Sequence, residues 1–224
     1  MTRLLKRTPL SGVYRKPGVS LTNVAGWEVP GHFGDPDRER QALESACVLV
    51  DWSHAGKIQL RGRDAAREAA KIVGGDGTPR VLEARAGGGC VLLRLAEDEV
   101  LMLCEPGQEE HVLSGLDGTR IAIVNESGGY GALLLAGPRR GEVMERSCAL
   151  DLRPDVVGER RVFQTGVHFV PCTIYCAPGA YLLVQRRDFT QSLYESLLDV
   201  GRGIGLVQAG TGCVPTVFGR EVRM

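Results

Sequence analysis

The chain has 224 residues, 43% hydrophobic and 24% charged, which excludes a disordered tail or a small disulfide-rich scaffold. Its 27 basic residues balance 27 acidic ones, so no overall field attracts nucleic acid or an anionic membrane. Aromatic residues are only 5% of the chain, and no stretch approaches the ~20 apolar residues of a membrane span, so we expect neither a nucleic-acid nor a membrane partner.

The cysteine content points to a reduced compartment. Seven cysteines, an odd number, lie mostly within apolar runs and follow no secretory signal. We therefore expect buried free thiols and a cytoplasmic protein. Cys172 and Cys176 are the only close pair, and because no second pair accompanies them, we predict no metal site.

The first half of the chain predicts an arm, a helix and one compact unit. Residues 1–18 are basic and free of acids, but they contain two prolines and no apolar segment of the kind that a targeting peptide needs. Asp35 followed by Pro36 predicts the N-cap and first turn of a helix that ends near Cys47. The elements expected next are strand 48–51, strand 57–61, helix 64–73, strands 80–84, 90–95 and 100–104, helix 107–116 and strand 121–124.

The second half repeats this order. Its elements are strand 131–136, helix 138–147, strands 162–164, 167–175 and 181–185, and a last helix with Asp188 as N-cap that ends at Gly201. We predict an α+β fold of two duplicated ferredoxin-like β-α-β-β-α-β units. The predicted boundaries are 1–50 for an N-terminal arm and helix packed on the core, 51–130 for the first unit and 131–224 for the second.

The most informative segment is 24–62. Trp27 lies in a rigid turn between Gly26 and Pro30, and Ser53 and His54 add hydrogen-bonding groups at the end of an apolar strand. Polar clusters at strand ends often carry function. The alternative interpretation is that Ser53 and His54 tie down a loop and Trp27 fills the core. Motifs of nucleotide-dependent, metalloprotease and serine-hydrolase chemistry are absent from the sequence.

This segment resembles the T protein of the glycine cleavage system, a tetrahydrofolate-dependent aminomethyltransferase, and its relatives. The similar elements are the A-G-W-E-x-P turn at 25–30, Phe33-Gly34, the D-x-S-H-x-G-K element at 51–57, Ala136-Gly137-Pro138 and the segment 193–212. Lys6 to Leu10 is similar to the start of the family, so we expect the arm to be ordered. The resemblance covers about residues 8–221.

The resemblance implies duplicated ferredoxin-like units that bind tetrahydrofolate in a central pocket, where an aspartate in a G-G-x-x-D-D-L segment meets the pterin. A carboxylate suits that role because it can hydrogen-bond the amine and stabilise positive charge. Here Leu92 occupies the aspartate position and Leu93 the next acid. The glutamate of a Y-T-G-E stretch is absent after Tyr175, and Val214 replaces an arginine.

The expected chemistry follows from these departures. With no catalytic carboxylate, conventional aminomethyl transfer is disfavoured, and an uncharged pocket suits a pterin poorly. The acids at 97–99 belong to a polar hairpin turn, so we interpret them as solvated rather than as displaced catalytic groups. Tetrahydrofolate stays the candidate cofactor, and Trp27, Ser53, His54 and Tyr175 are the candidate binding residues.

Length adds a second hypothesis. Full aminomethyltransferases are longer and end in a β-barrel domain, which we expect this chain to lack, whereas its size resembles the small gamma subunit of heterotetrameric sarcosine oxidase. The first hypothesis is a folate-linked methyl or aminomethyl transferase with modified residues. The second is a non-catalytic subunit of an amine-oxidising or demethylating complex. Either way we expect a protein partner or a homo-oligomer, with a small molecule as ligand.

Overall fold

The computed structural model describes residues 4–214 and Phe218. The remaining parts of the predicted first and last segments, residues 1–3, 215–217 and 219–224, lie outside the described residues. The strands are β1 (Lys6–Arg7), β2 (Ser20–Val24), β3 (Trp27–His32), β4 (Cys47–Asp51), β5 (Gly56–Arg61), β6 (Ala84–Gly87), β7 (Cys90–Arg94), β8 (Glu99–Cys104), β9 (Ala122–Asn125), β10 (Tyr130–Ala136), β11 (Arg161–Val167), β12 (Val170–Ala177), β13 (Ala180–Arg186) and β14 (Leu206–Ala209). The helices are α1 (Pro36–Ser45), α2 (Ala65–Val73), α3 (Glu109–Gly115), α4 (Arg140–Glu145), α5 (Pro154–Val157) and α6 (Thr190–Gly201).

Two large sheets organise these elements into the expected α+β fold. One has five strands in the order β6-β7-β8-β5-β9, and all its neighbours are antiparallel. The other has six strands in the order β11-β12-β13-β10-β4-β14, with only β4 and β14 parallel. A three-stranded sheet, β1-β3-β2, carries the arm. Because β4 lies in the six-stranded sheet and β5 in the five-stranded one, the chain crosses between the sheets at 52–55.

The main core lies between the two sheets, and helices cover their outer faces. Side chains alternate along β7, so Leu93 joins the inter-sheet cluster and Leu92 packs on the other face with α2. Leu134 and Leu182 approach the same inter-sheet cluster from the six-stranded sheet. Leu193 of α6 packs with α4 on the outer face of that sheet. The central strands of each large sheet are therefore covered on both faces, whereas the edge strand β9 is largely exposed.

The first helix begins as predicted, because the Asp35 carboxylate accepts a hydrogen bond of 3.0 Å from the Arg38 N–H and Pro36 opens the first turn. The predicted N-cap of the last helix is wrong. The Arg187 N–H donates to the Gly129 carbonyl at 2.9 Å, which leads the chain from β13 directly into a 3₁₀ turn at Arg187–Phe189. Asp188 lies exposed within that turn and caps nothing.

Two predicted strands also change position. The strand expected at 80–84 is wrong, because the Glu83 carboxylate accepts hydrogen bonds from the Arg80 N–H and guanidinium and folds these residues into a turn before β6. The break expected after residue 164 is also wrong. The chain continues as β11 to Val167 and turns at His168 and Phe169, where the His168 N–H is held by the Ser147 carbonyl at 2.9 Å.

Candidate functional site

The crossover segment Trp52 to Ala55 connects the two sheets and is buried along its whole length. Its first residue extends the pairing of β4 with β10, since the Trp52 N–H donates to the Ala132 carbonyl at 2.9 Å. The Ala55 N–H then donates to the Trp52 carbonyl at 3.1 Å and closes a tight turn. The segment is therefore fixed between the sheets by its own backbone.

Ser53 uses all of its polar groups to hold this turn. Its hydroxyl accepts from the Ala132 N–H at 3.1 Å and donates to the Ala132 carbonyl at 3.3 Å, and its own N–H donates to Asp51 Oδ1 at 2.9 Å. The side chain is 1% exposed. This geometry favours the interpretation of Ser53 as a tether of the loop.

Lys57 holds the same turn through its side chain. In the sequence it stood out only as part of the D-x-S-H-x-G-K element at 51–57. Its ammonium is completely buried and donates to the carbonyls of Ser53 at 2.9 Å and Ala55 at 2.8 Å. Burial lowers the pKa of Lys57 to about 8, while the nearby carboxylates of Asp51 and Glu109 oppose that change. The ammonium thus remains charged near neutral pH and holds the turn through two carbonyls.

His54 lies on the turn with its imidazole in the protein interior. The ring is 2% exposed, and its centroid is 5.2 Å from that of Trp52. Burial lowers the pKa of His54 to about 4, so the imidazole is neutral at pH 7. Nδ1 is buried and has no hydrogen-bond partner within the described part of the chain.

A cleft of about 620 Å³ opens beside His54 and Trp52. The opposite wall comes from β2 and β3, with Thr22 and His32, and Glu105 adds a carboxylate after β8. The Nδ1 atom of His32 accepts from the Gly34 N–H at 3.1 Å. The cleft thus combines an indole, two imidazoles, a carboxylate and hydroxyl groups, a set that can hold a flat polar ring by stacking and hydrogen bonds.

A buried carboxylate keeps one rim of the cleft in place. Glu39 of α1 is 3% exposed and accepts hydrogen bonds from the N–H groups of Phe33 and Gly210, the latter at 3.0 Å. The Thr211 N–H donates to the Pro30 carbonyl at 2.9 Å. Segment 210–212 is therefore clamped onto the end of β3, where it lines the cleft.

The other candidate residues lie elsewhere. Trp27, with its ring 5.5 Å from the Lys6 ammonium, lines a separate cleft of about 750 Å³ beside Glu109. Tyr175 is 1% exposed in the inter-sheet core, where burial raises its pKa to about 12. Leu92 packs under α2. The structure thus joins only Ser53 and His54 in one local arrangement, and Ser53 does not line the cleft.

The positions compared with the family's folate contacts mostly meet in the inter-sheet core. Leu93, Tyr175 and Val214 all belong to its buried apolar cluster. Sequence reasoning missed His32 and Glu105 as cleft residues, because each stands outside the motifs and reaches the cleft only through the fold. Trp52 was recognised only as part of the Asp51 to His54 cluster.

Other site types receive no support from the described residues. Within residues 4–214 and Phe218, no three His, Cys, Asp or Glu side chains are arranged to hold a metal ion. All seven cysteines are free, and five of them are buried. Over the same ranges, no helix is both long and apolar enough to cross a membrane.

Comparison with known proteins gives consistent matches. Residues 10–217 match the family model described as the GCVT N-terminal domain. The aminomethyltransferase of Lysinibacillus sphaericus (strain C3-41) is 28% identical over 235 residues, covering 97% of this chain and 64% of the relative. That of Halothermothrix orenii is 25% identical over 245 residues, covering 95% and 64%. The chain thus spans about 64% of the length of these curated relatives.

Two solved structures share the fold. The glycine cleavage system aminomethyltransferase T from Bartonella henselae aligns with a TM-score of 0.78 and 19% identity, over 93% of this chain and 60% of that chain. A chain of the heterotetrameric sarcosine oxidase from Corynebacterium sp. U-96, in complex with pyrrole 2-carboxylate, aligns with a TM-score of 0.66 and 19% identity, over 90% of this chain and 97% of that chain.

Proposed function

The chain belongs to the GCVT N-terminal domain family, and on this premise we propose that it is an aminomethyltransferase-like protein of folate-linked one-carbon metabolism that binds its ligand in the cleft beside His54. The observation that carries the proposal is the buried, neutral imidazole of His54 beside the indole of Trp52 at the wall of that cleft. We place this activity in the cytoplasm, in keeping with the free cysteines.

We also propose that the two sheets are duplicated units, the first over 51–130 and the second over 131–224. When the edge strands β6 and β11 are left out and the other strands of each unit are numbered from one to four, the order 4-1-3-2 describes β9-β5-β8-β7 in the first. The same order describes β14, β10, β13 and β12 in the second, with β4 inserted between β14 and β10. Strand β4, which except for Asp51 precedes the first unit, then completes the sheet of the second.

The cleft suits tetrahydrofolate better than the inter-sheet core does. A pterin ring carries donors and acceptors on its edge, and burying them without partners is costly. The cleft supplies the Glu105 carboxylate, the Thr22 hydroxyl and the imidazoles of His32 and His54. The inter-sheet core supplies apolar contacts alone around Leu93. Tetrahydrofolate, when bound, carries the one-carbon unit, while Trp52 and the hydroxyl groups orient its ring.

Conventional aminomethyl transfer is a weaker expectation than binding. Leu92 and Leu93 are both completely buried and apolar, so neither can accept a proton or stabilise a cationic amine. Neutral His54 lines the cleft beside His32 and Glu105, and its lowered pKa makes it a weak base. We infer that the protein binds a folate-like ligand. In any transfer of a one-carbon unit, the basic group is then the ligand's own nitrogen more than a side chain of the protein.

Isothermal titration of the full chain with tetrahydrofolate, up to millimolar ligand, tests this proposal. We expect saturable heat for the wild type and at least a tenfold weaker affinity for His54→Ala. His111→Ala is the matched control, because His111 is exposed on α3, away from the cleft, and should leave the affinity unchanged. No heat with the wild type, or equal weakening in both variants, would overturn the assignment.

The second candidate function is a non-catalytic subunit of a larger amine-oxidising or demethylating complex. It is favoured by the sarcosine oxidase chain, which this chain covers over 97% of its length. We propose Phe169 as a contact in such a complex, because it is fully exposed at the tip of the β11–β12 hairpin and held there with a φ of 65°. Mild purification from the native source should yield a stable assembly, and Phe169→Ser should weaken it. A wild-type chain that elutes alone as a monomer would refute this function.

A further inference from the structure

A group of buried polar atoms behind the candidate cleft has no hydrogen-bond partners within the described part of the chain. They are Asp51 Oδ2, the Tyr194 hydroxyl and His54 Nδ1, and the neighbouring Tyr14 hydroxyl interacts directly with the Asp51 carboxylate. The four side chains are at most 2% exposed. A polar group buried without a partner is costly because it gives up its hydrogen bonds to water and gains none in return, so several together would be a large loss for a protein of ordinary stability.

Asp51 is the common neighbour of the other three residues. The rings of Tyr14 and Tyr194 meet edge to face with centroids 6.3 Å apart. Besides burial, the Asp51 charge raises the pKa of both phenols and opposes the lowering of the His54 pKa. Asp51 is therefore the shared neighbour of a tyrosine on the arm, a tyrosine on α6 and the histidine of the cleft.

The chemistry of the group is complementary. Asp51 Oδ2 is an acceptor, both phenols can donate, and an imidazole protonated on Nδ1 can donate as well. Buried polar groups without direct partners are commonly joined by internal water, which makes two to four hydrogen bonds. Two further charged groups act here: the Glu39 charge also raises the pKa of Tyr194, and two donors of the Lys57 ammonium are already used by the carbonyls of Ser53 and Ala55.

We propose that Asp51 is the positioning residue of the candidate cleft: a buried water accepts a hydrogen bond from the Nδ1–H of neutral His54 and donates one to Asp51, and water at the same place also satisfies the Tyr194 hydroxyl. The consequence is a fixed tautomer. With the proton on Nδ1, Nε2 on the other side of the ring becomes an acceptor for a ligand donor. This role rests on the proposed ligand site, but the tautomer itself is a property of the ligand-free protein.

The tautomer can be read from long-range ¹H–¹⁵N correlation spectra of histidine-labelled protein near neutral pH. We expect His54 to carry its proton on Nδ1. His32 provides an internal reference for the other tautomer. Its Nδ1 accepts a hydrogen bond from the Gly34 N–H, so the proton of its neutral ring lies on Nε2. A wild-type His54 protonated on Nε2, or an even mixture of tautomers, would refute the proposal whatever the variants do.

Variants then identify the residue responsible. Asp51→Asn should move His54 toward the Nε2–H tautomer, whereas Asp188→Asn, which changes an exposed carboxylate on the 3₁₀ turn, should leave the spectrum unchanged. An unshifted tautomer in folded Asp51→Asn would exclude the positioning role. These spectra are recorded without tetrahydrofolate, so they do not depend on the proposed function. If His54 is the Nδ1–H tautomer but the titration shows no binding, the proposed function is refuted and the positioning role of Asp51 is not.

Discussion

Ser53 and Ala132 exchange two hydrogen bonds through the Ser53 hydroxyl, which accepts from the Ala132 N–H at 3.1 Å and donates to the Ala132 carbonyl at 3.3 Å. The contact lies just beyond the last paired position of β4 and β10, Asp51 opposite Leu133, because Ser53 follows Asp51 by two residues and Ala132 is next to Leu133. A side chain here continues the ladder at the point where the backbone of β4 turns toward the other sheet. The hydroxyl thus fixes the start of the crossover on which His54 lies.

Ser53→Ala should therefore lower the free energy of unfolding by about 1–3 kcal/mol, because it leaves the buried Ala132 N–H without its partner. Urea denaturation followed by circular dichroism measures the change. Ser45→Ala is the control, since the Ser45 hydroxyl bonds the Gln41 carbonyl on the exposed face of α1. Equal effects of less than about 0.5 kcal/mol in both variants would contradict the tethering role.

Lys57→Met should be more destabilising. The variant keeps the side-chain length but removes two hydrogen bonds, to the carbonyls of Ser53 and Ala55, and leaves the buried Asp51 carboxylate without its compensating charge. Loss of one partner of a buried charged pair typically costs about 3–5 kcal/mol.

The comparison for this variant is Lys71→Met on α2. The Lys71 side chain is 64% exposed and pairs with Glu68, so its loss should cost less than about 1 kcal/mol. Chemical denaturation of both proteins at neutral pH gives the two values. A Lys57→Met protein as stable as wild type would show that the ammonium does not hold the turn.

The buried imidazole of His54 should make folding sensitive to acid. Its pKa is about 4 in the folded protein against 6.5 for an ordinary histidine, so between these values the unfolded chain binds more protons. The associated stability is fully present above pH 6.5 and is lost as the pH falls toward about 4, a loss on the order of 3 kcal/mol.

Unfolding free energies measured from about pH 7 down to about pH 4 test this slope. His54→Gln should flatten part of it. The comparison with wild type is needed because burial also lowers the pKa of His168, which adds to the slope in the same direction. Identical slopes in the two proteins would mean that His54 is not titrating in the interior.

The sequence correctly predicted features that depend only on residues close together in the chain. Asp35 and Pro36 start α1 as expected, because a cap and a first turn depend on neighbouring residues. The turn at Arg80 to Glu83 was missed because side-chain bonds to the backbone override an apolar alternation. Asp188 was misplaced because the Arg187 N–H is bound by Gly129, a partner distant in sequence.

In the candidate site too, the sequence showed the features that depend on neighbouring residues and missed those that depend on distant contacts. The polar cluster ending in His54 was visible as a strand end, but the placement of β4 between β10 and β14 depends on pairings that no local pattern contains. Trp27 reads as a partner of that cluster in the sequence, and the fold places it in another cleft. Tyr14 and Tyr194 come to Asp51 from the arm and from α6, so neither carried a signal.

Close backbone packing at Gly210 should control both stability and the cleft. A Cβ at this position would lie 2.1 Å from the Gly31 carbonyl, inside van der Waals contact with rigid backbone. Gly210→Ala should therefore cost about 1–3 kcal/mol or more and separate segment 210–212 from β3, which weakens ligand binding at the rim. Gly203→Ala meets no atom within 4 Å and should change stability by less than about 1 kcal/mol. Thermal unfolding and titration of both variants measure these effects, and a stable Gly210→Ala protein with unchanged affinity would show that the rim tolerates displacement.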